Sequence, residues 1–374
     1  MRGKQVMVYR AIGNARISCI GRMASLRHGS LVAVAAHLAW PILALCLLAH
    51  PAAADDDRSL PPSPADWGLL AVRTQAPLYS ARLAWTPGIV AVLPRGSVQI
   101  DASITEANVW GNETPFLFDY ETTRFTLQLR AGLGDGWDAG LELAVIHRHG
   151  GFLDALVEDF HNLIGELQLG RDQVPRNRVH IELRDSLGTR IVADTTATGL
   201  ADPVLRLRRE LTPLGHGQPS LVAGLEVKVP IGGIDSGTFA TSGFDFLFQL
   251  GLQIPVVRWL QIFIVVGAIW SPGSEQIYTV PVSNVQKFGL IGFELRISRQ
   301  VTLMFHYLRH DGVAQSLSEH TLLAKSSNEF VGGVKWSPDG VGRVVLEAAF
   351  IENGVHESNV PDFGLHIGVR VRID

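Results

Sequence analysis

"FTLQLRAGL", residues 125–133, decides the fold. Phe125, Leu127, Leu129, Ala131 and Leu133 alternate with Thr126, Gln128, Arg130 and Gly132, the period of a strand with one apolar and one polar face. The same alternation runs through "RVHIELR" (178–184), "LEVKV" (225–229), "FDFLFQLGLQI" (244–254), "FELRI" (293–297) and "LHIGVRVRI" (365–373). About fourteen such runs follow residue 96, most of them near or above the length of a tilted membrane-crossing strand. They fall at 97–109, 121–133, 136–147, 178–185, 189–196, 203–211, 220–229, 243–254, 258–270, 284–297, 300–310, 328–337, 342–352 and 363–373.

The links between runs sharpen the reading. Every second link is short, as in "GDG" at 134, "PVV" at 255 and "SR" at 298, while most intervening links are long and polar, including 110–120, 148–177, 230–242 and 311–327. A barrel with short periplasmic turns and long outer loops has this rhythm. Trp137, Trp259 and Trp336 stand at short-turn ends, and Trp110, Tyr120, Trp270 and Phe363 at long-loop ends, two bands resembling aromatic girdles. A soluble secreted β-sandwich is the competing reading, because alternation shows only that two faces differ.

Composition narrows the class. The 374 residues are 47% hydrophobic and 18% charged with 38 glycines, which excludes a disordered chain and argues against a mainly helical one. A net charge of -4 leaves no basic footprint for nucleic acid. Arg10, Arg16, Arg22 and Arg27 precede an apolar run over 31–48, and Ala52, Ala53 and Ala54 come before Asp55. Residues 1–54 are therefore expected to be a cleaved signal peptide that leads to the bacterial outer membrane. A retained anchor is the alternative, and translation could start at Met1 or Met23. Both cysteines, Cys19 and Cys46, fall in this presequence, so disulfides and thiolate chemistry are not expected in the mature chain. Residues 55–96 read as a leader or periplasmic segment, broken by Pro77, Pro87 and Pro94.

The expected architecture is all-β: a transmembrane antiparallel β-barrel over 97–374, of about 14 strands (range about 12–16), with one amphipathic helix in the long loop 148–177. The face opposite the apolar one would line the lumen, with Arg124, Arg130, Glu142, Arg178, Glu182, Arg184, Arg370 and Arg372 among its residues. It reads either as a self-paired filling or as a charged passage. The final strand ends on Ile373 and Asp374 where most such chains end on an aromatic residue.

In "HRHGGFLDALVEDFHNLIGEL" (147–167), residues 152–164 place Phe152, Leu153, Leu156, Val157, Phe160, Leu163 and Ile164 on one helical arc. That arc needs a partner: the barrel rim, the lumen or the membrane interface. Asp154, Glu158 and His161 share the other face and could hold a divalent cation, but no zinc spacing such as HExxH is present and a polar helix face is normally solvated. No catalytic residue and no cofactor is expected. Ser316 and Ser318 stand near Glu319 and His320, without a GxSxG motif.

"HGGFLDALVEDFHNLIGELQLGRDQVPRNR" (149–178), with "TQAPL" (74–78), "ITEANVW" (104–110), "YETTR" (120–124) and "LEVKVPIGGIDSGTFATSGFD" (225–245), resembles the signature of the bacterial domain-of-unknown-function 3187 family. The resemblance implies an outer-membrane barrel and supplies no reaction. By position, it marks Gly150, Gly151, Phe152, Leu153, Asp154, His161 and Arg171 as signature residues. Three functions follow as expectations: a passive or gated channel for small solutes with loop 148–177 as plug or constriction, a lipid-acting enzyme, or a structural or surface-interaction barrel. The expected partners are outer-membrane lipid, the barrel assembly machinery and a small solute.

Overall fold

The computed structural model describes residues 67–374 apart from 89, 166–167, 169, 186–187, 213–218, 232–238, 240, 242, 274–275, 278–279, 316–320 and 354–358. The expected signal peptide and the first part of the expected leader lie outside the described residues. In chain order the strands are β1 (Val98–Glu113), β2 (Phe116–Gly134), β3 (Trp137–His149), β4 (His180–Asp185), β5 (Gly188–Ala193) and β6 (Ala197–Leu200). They continue as β7 (Val204–Thr212), β8 (Ser220–Lys228), β9 (Asp245–Val257), β10 (Leu260–Trp270), β11 (Gln276–Ile277) and β12 (Val280–Pro281). The last five are β13 (Val285–Arg296), β14 (Val301–His310), β15 (Ser327–Trp336), β16 (Val344–Asn353) and β17 (Phe363–Ile373). The helix α1 (Asp154–Ile164) lies between β3 and β4.

Twelve of these strands close a barrel, in the spatial order β1, β2, β3, β7, β8, β9, β10, β13, β14, β15, β16, β17 and back to β1. Every pairing is antiparallel, and closure is made by Val98↔Ile373 through Asn108↔Phe363. The runs expected at 178–185 and 189–196 are not wall strands. They form the β4–β5 hairpin, which pairs with Phe116–Asp119 at the outer end of β2. Their alternation is real, yet both faces of this hairpin lie above the wall, so strand pattern alone could not separate them from spanning strands. The link expected over 110–120 is instead a continuation of the β1–β2 hairpin, paired as far as Glu113↔Phe116.

The outward positions are apolar and exposed: Phe125 at 51%, Phe248 at 54% and Ile367 at 64% belong to one continuous belt. Such a belt is stable only against lipid, so the barrel is transmembrane. Trp137, Trp259 and Trp336 are exposed at its short-turn end and Trp270 at its outer end, whereas Trp110 and Tyr120 are buried beneath the loops. Among the described residues no helix is long and apolar enough to cross a membrane.

Candidate functional site

Residues 67–97, expected mostly as a segment outside the barrel, run through its interior. Trp67 packs by the short turn at Gly342, and the chain rises to a 3-10 turn at Pro77–Ala81 near the outer loops. It then descends to Gly96, whose N–H donates to Gly132 O at 3.0 Å just before β1 begins. Both arms of this inverted U reach the short-turn end.

An irregular segment buried in a barrel must find a partner for each backbone polar group, and here the wall's charged side chains supply many of them. Lys335, fully buried, donates from Nζ to the carbonyls of Gly68 (2.8 Å), Leu69 (2.7 Å) and Trp67. Arg370 Nη1 also reaches Trp67 O at 2.8 Å. Carboxylates accept from the segment's N–H groups: Glu347 from Ala71 at 3.1 Å, Asp245 from Leu83 at 2.9 Å and Asp138 from Leu93 at 3.0 Å. Arg130 and Arg208 both donate to Ala91 O, at 3.2 and 3.0 Å.

The wall charges also pair among themselves. Glu142 gathers Arg124 at 3.1 Å, Arg206 and, from the segment, Arg73 at 3.6 Å and the Thr86 hydroxyl at 3.0 Å. Asp138 takes Arg130 and Arg208, each at 2.6 Å, and Asp101 takes Arg370 at 2.6 Å. Arg124, Arg130, Glu142 and Arg370 thus point inward, and Arg372 lies at the short-turn rim beside Asp374 at 2.9 Å. Three residues expected in the lumen are elsewhere: Arg178 pairs with Asp119, and Glu182 with His180 and Arg184, around the outer hairpin. A one-sided reading of their alternation put them in the wall.

Across β9–β16 apolar side chains stand between inward polar ones such as Gln261, Glu294, His306, Lys335 and Glu347. Leu247, Phe263, Val265, Leu290, Met304, Leu308, Val331 and Ile351 form one buried cluster with Leu69, Leu70, Val72, Leu83, Trp85 and Val90 of the segment. The Trp85 ring stacks on Phe288 at 5.5 Å between centroids. A cavity of about 40 Å³ remains between the segment and the polar side of the wall, lined by Gln99, Asp101, Gln128, Arg206 and Glu226 among others. That is room for about two or three waters.

The 148–177 loop does not enter the lumen, which corrects its expected role as plug. Helix α1 lies over the outer ends of β17, β1 and β2, held by a buried polar latch. Asp154 accepts from Arg171 Nη1 at 2.8 Å, Asn108 Nδ2 at 2.9 Å and the Asn177 N–H at 2.7 Å. Arg171 Nη2 continues to Asp362 at 2.7 Å, and the guanidinium lies 5.1 Å from the Trp110 ring. His161 Nε2 lies 3.9 Å from the same Asp362. Glu158 binds Arg176 from both oxygens and holds that exposed guanidinium's pKa above its ordinary value. Asp154, Glu158 and His161 therefore each face a different partner rather than one shared point.

Sequence reasoning missed Glu121. Its carboxylate accepts the N–H of Phe152 at 3.0 Å and of Leu153 at 2.7 Å, capping the approach to α1. The signal was there: Asn108, Glu121 and Glu106 are polar at outward register, directly above lipid-facing Ile104 and Phe125. Gly151 adopts φ 74°, and a Cβ there would lie 1.8 Å from Glu121 Cδ; one on Gly150 would lie 2.1 Å from Asn177 O. Leu153 is buried while Phe152 is 66% exposed. Gly151→Ala displaces Glu121 from both N–H groups, an expected local cost of about 2–4 kcal/mol for two charge-assisted bonds. Amide exchange over 152–165 should accelerate roughly 30- to 1,000-fold; unchanged exchange would remove Glu121 from the latch.

Glu106, Glu121 and His149 bring ligand-type atoms within 4.8 Å of one another on this outer rim, but Glu121 is already committed to the backbone. Ser316, Ser318, Glu319 and His320 lie outside the described residues.

A closed antiparallel barrel with an apolar exterior and an interior of paired charges has the fold of outer-membrane channels. The COG4313 outer membrane channel from Pseudomonas putida F1 superposes with a TM-score of 0.51 at 13% identity, covering 77% of this chain and 100% of that one. The NanC porin gives 0.43 at 10% identity, over 74% and 100%. Residues 61–373 match the family described as "Protein of unknown function (DUF3187)", and the chain belongs to it. No curated protein matches the sequence.

Proposed function

We propose that the protein is a gated channel of the bacterial outer membrane for small polar solutes, and that its gate is residues 67–96 rather than loop 148–177. One observation carries this reading: the segment that fills the lumen enters and leaves at the same end. It can therefore be withdrawn toward the periplasm without threading past the outer loops or breaking any strand pairing of the wall. Withdrawal would uncover Arg124, Arg130, Arg206, Asp101, Asp138 and Glu142 on one side, and Asp245, Lys335 and Glu347 among apolar side chains on the other, a lining with charges of both signs. Such a lining favours small polar solutes without a strong preference for charge sign.

A second reading, a barrel that stays closed and serves as structure or contact surface, is favoured by the same filled lumen. A reversible staple separates the two. A Cβ on Gly251 would lie 3.1 Å from Val90 Cγ1, so Val90→Cys with Gly251→Cys brings two sulfurs within bonding range. In planar bilayers the reduced pair should show opening events that oxidation abolishes and dithiothreitol restores. A barrel equally silent in both states, in the presence of any applied voltage, would favour the closed structural reading.

A further inference from the structure

Helix α1 is docked by the wrong side for a helix in water. Asp154, Val157, Glu158 and His161 face the barrel and are buried, while Leu156 is 48% and Leu163 83% exposed. At 100° per residue Leu156, Phe160 and Leu163 fall within an arc of about 60°, and Phe152, also exposed, precedes them on that side. Asp159 and Asn162 are exposed too, on the neighbouring flank. The helix therefore has three sectors: a polar one bonded to protein, an apolar one and a second polar one, both uncovered.

The apolar flank is continuous with the lipid-facing belt. The Phe160 ring lies 6.2 Å from that of Phe363, the first residue of β17, whose outward positions below it are Leu365, Ile367, Val369 and Val371, all exposed. Outward polar residues begin at this level: Glu106 on β1, Glu121 and Thr123 on β2, and His149 on β3. This is the height at which a bilayer's hydrocarbon gives way to headgroups.

We propose that α1 is an interfacial helix whose flank of Phe152, Leu156, Phe160 and Leu163 is seated among the acyl chains of the outer leaflet, with Asp159 and Asn162 turned to the headgroup water. The Asp154–Arg171–Asp362 latch and Glu121 fix its rotation, so the lipid contact is built into the fold rather than made by a loose loop. The inference rests on the membrane placement of the barrel.

The test uses the full chain with one cysteine at a time, Leu156→Cys, Leu163→Cys, Asp159→Cys or Asn162→Cys, and Ile367→Cys as belt reference. Each carries a nitroxide in dioleoylphosphatidylcholine vesicles, with molecular oxygen and a neutral nickel chelate as relaxing agents. The oxygen-to-nickel ratio at 156 and 163 is expected to be several-fold above that at 159 and 162 and within about twofold of that at 367, because oxygen partitions into hydrocarbon and nickel does not. Equal ratios at all four helix positions, with 367 still in lipid, overturn the inference alone. Nickel-accessible 367 overturns the membrane placement and the inference with it. Spin–spin broadening at 156 and 163 that disappears on dilution with unlabelled protein would assign the flank to a second copy and likewise overturn it.

Discussion

Deletion of residues 67–93 is expected to convert a closed barrel into a conducting one. None of the wall pairings uses this segment, and the deletion keeps Gly96 and Ser97, which bond to Gly132 at the foot of β2. The twelve strands should close as before, seen as heat-dependent gel mobility. What changes is the lumen: the wall charges exchange the segment's backbone for water, and a cavity of about 40 Å³ becomes a passage through the whole barrel. Time-averaged conductance should rise by roughly tenfold or more over the full chain, because a small barrel conducts only when nothing fills it. A folded deletion variant that conducts no better than the full chain would show that the segment is not the barrier.

Lys335→Met should have the next largest effect. Lys335 is wholly buried and its ammonium binds three successive carbonyls of the segment while lying 3.4 Å from Glu347. Methionine preserves length and volume but leaves the Gly68 and Leu69 carbonyls without this donor, Trp67 O with Arg370 alone, and Glu347 without its ammonium partner. Breaking a buried charge pair in this way costs about 3–5 kcal/mol, and the cost falls on the seated state, since a withdrawn segment exposes both groups to water. The ratio of closed to open time should fall by roughly two to three and a half decades, at 1.4 kcal/mol per decade, with the barrel's mobility unchanged. Gating identical to the natural chain would mean that the segment's lower arm is held by something other than Lys335.

Much of the wall was legible in the sequence. In β2, Phe125, Leu127 and Leu129 occupy the outward register with Gln128 and Arg130 inward, and the pleat alone dictates that separation. The rhythm of short turns at Gly134, Arg258 and Ser298 likewise follows from antiparallel up-and-down connectivity. The β4–β5 hairpin is the exception. Its residues alternate as a spanning strand does, but only the pairing with Phe116–Asp119 shows that it stands above the membrane.

The site was less legible. Glu142, Arg124, Arg130 and Arg370 were readable as one face of the strands. Their common task, pairing with a chain running between them, was not, because the segment that they bind has no periodic pattern. Apolar residues crowd Leu69–Val72 and Leu83–Trp85 with only Arg73 and Arg82 charged among residues 67–88, a composition unlike that of a solvated leader. That imbalance was the one available clue. Helix α1 was found by its amphipathicity, yet the wheel left rim, lumen and membrane interface open for its apolar arc, and only the burial of Asp154, Val157, Glu158 and His161 shows which side is docked.

By itself, then, the sequence determined an antiparallel barrel with a lipid-facing belt, because strand alternation and turn spacing are local properties that survive in any arrangement of the strands. Only the tertiary structure decided what occupies the lumen and which side of α1 meets the wall. Those outcomes depend on partners brought from 268 residues away, as Lys335 is to Trp67, and on whether the medium outside the protein is water or hydrocarbon.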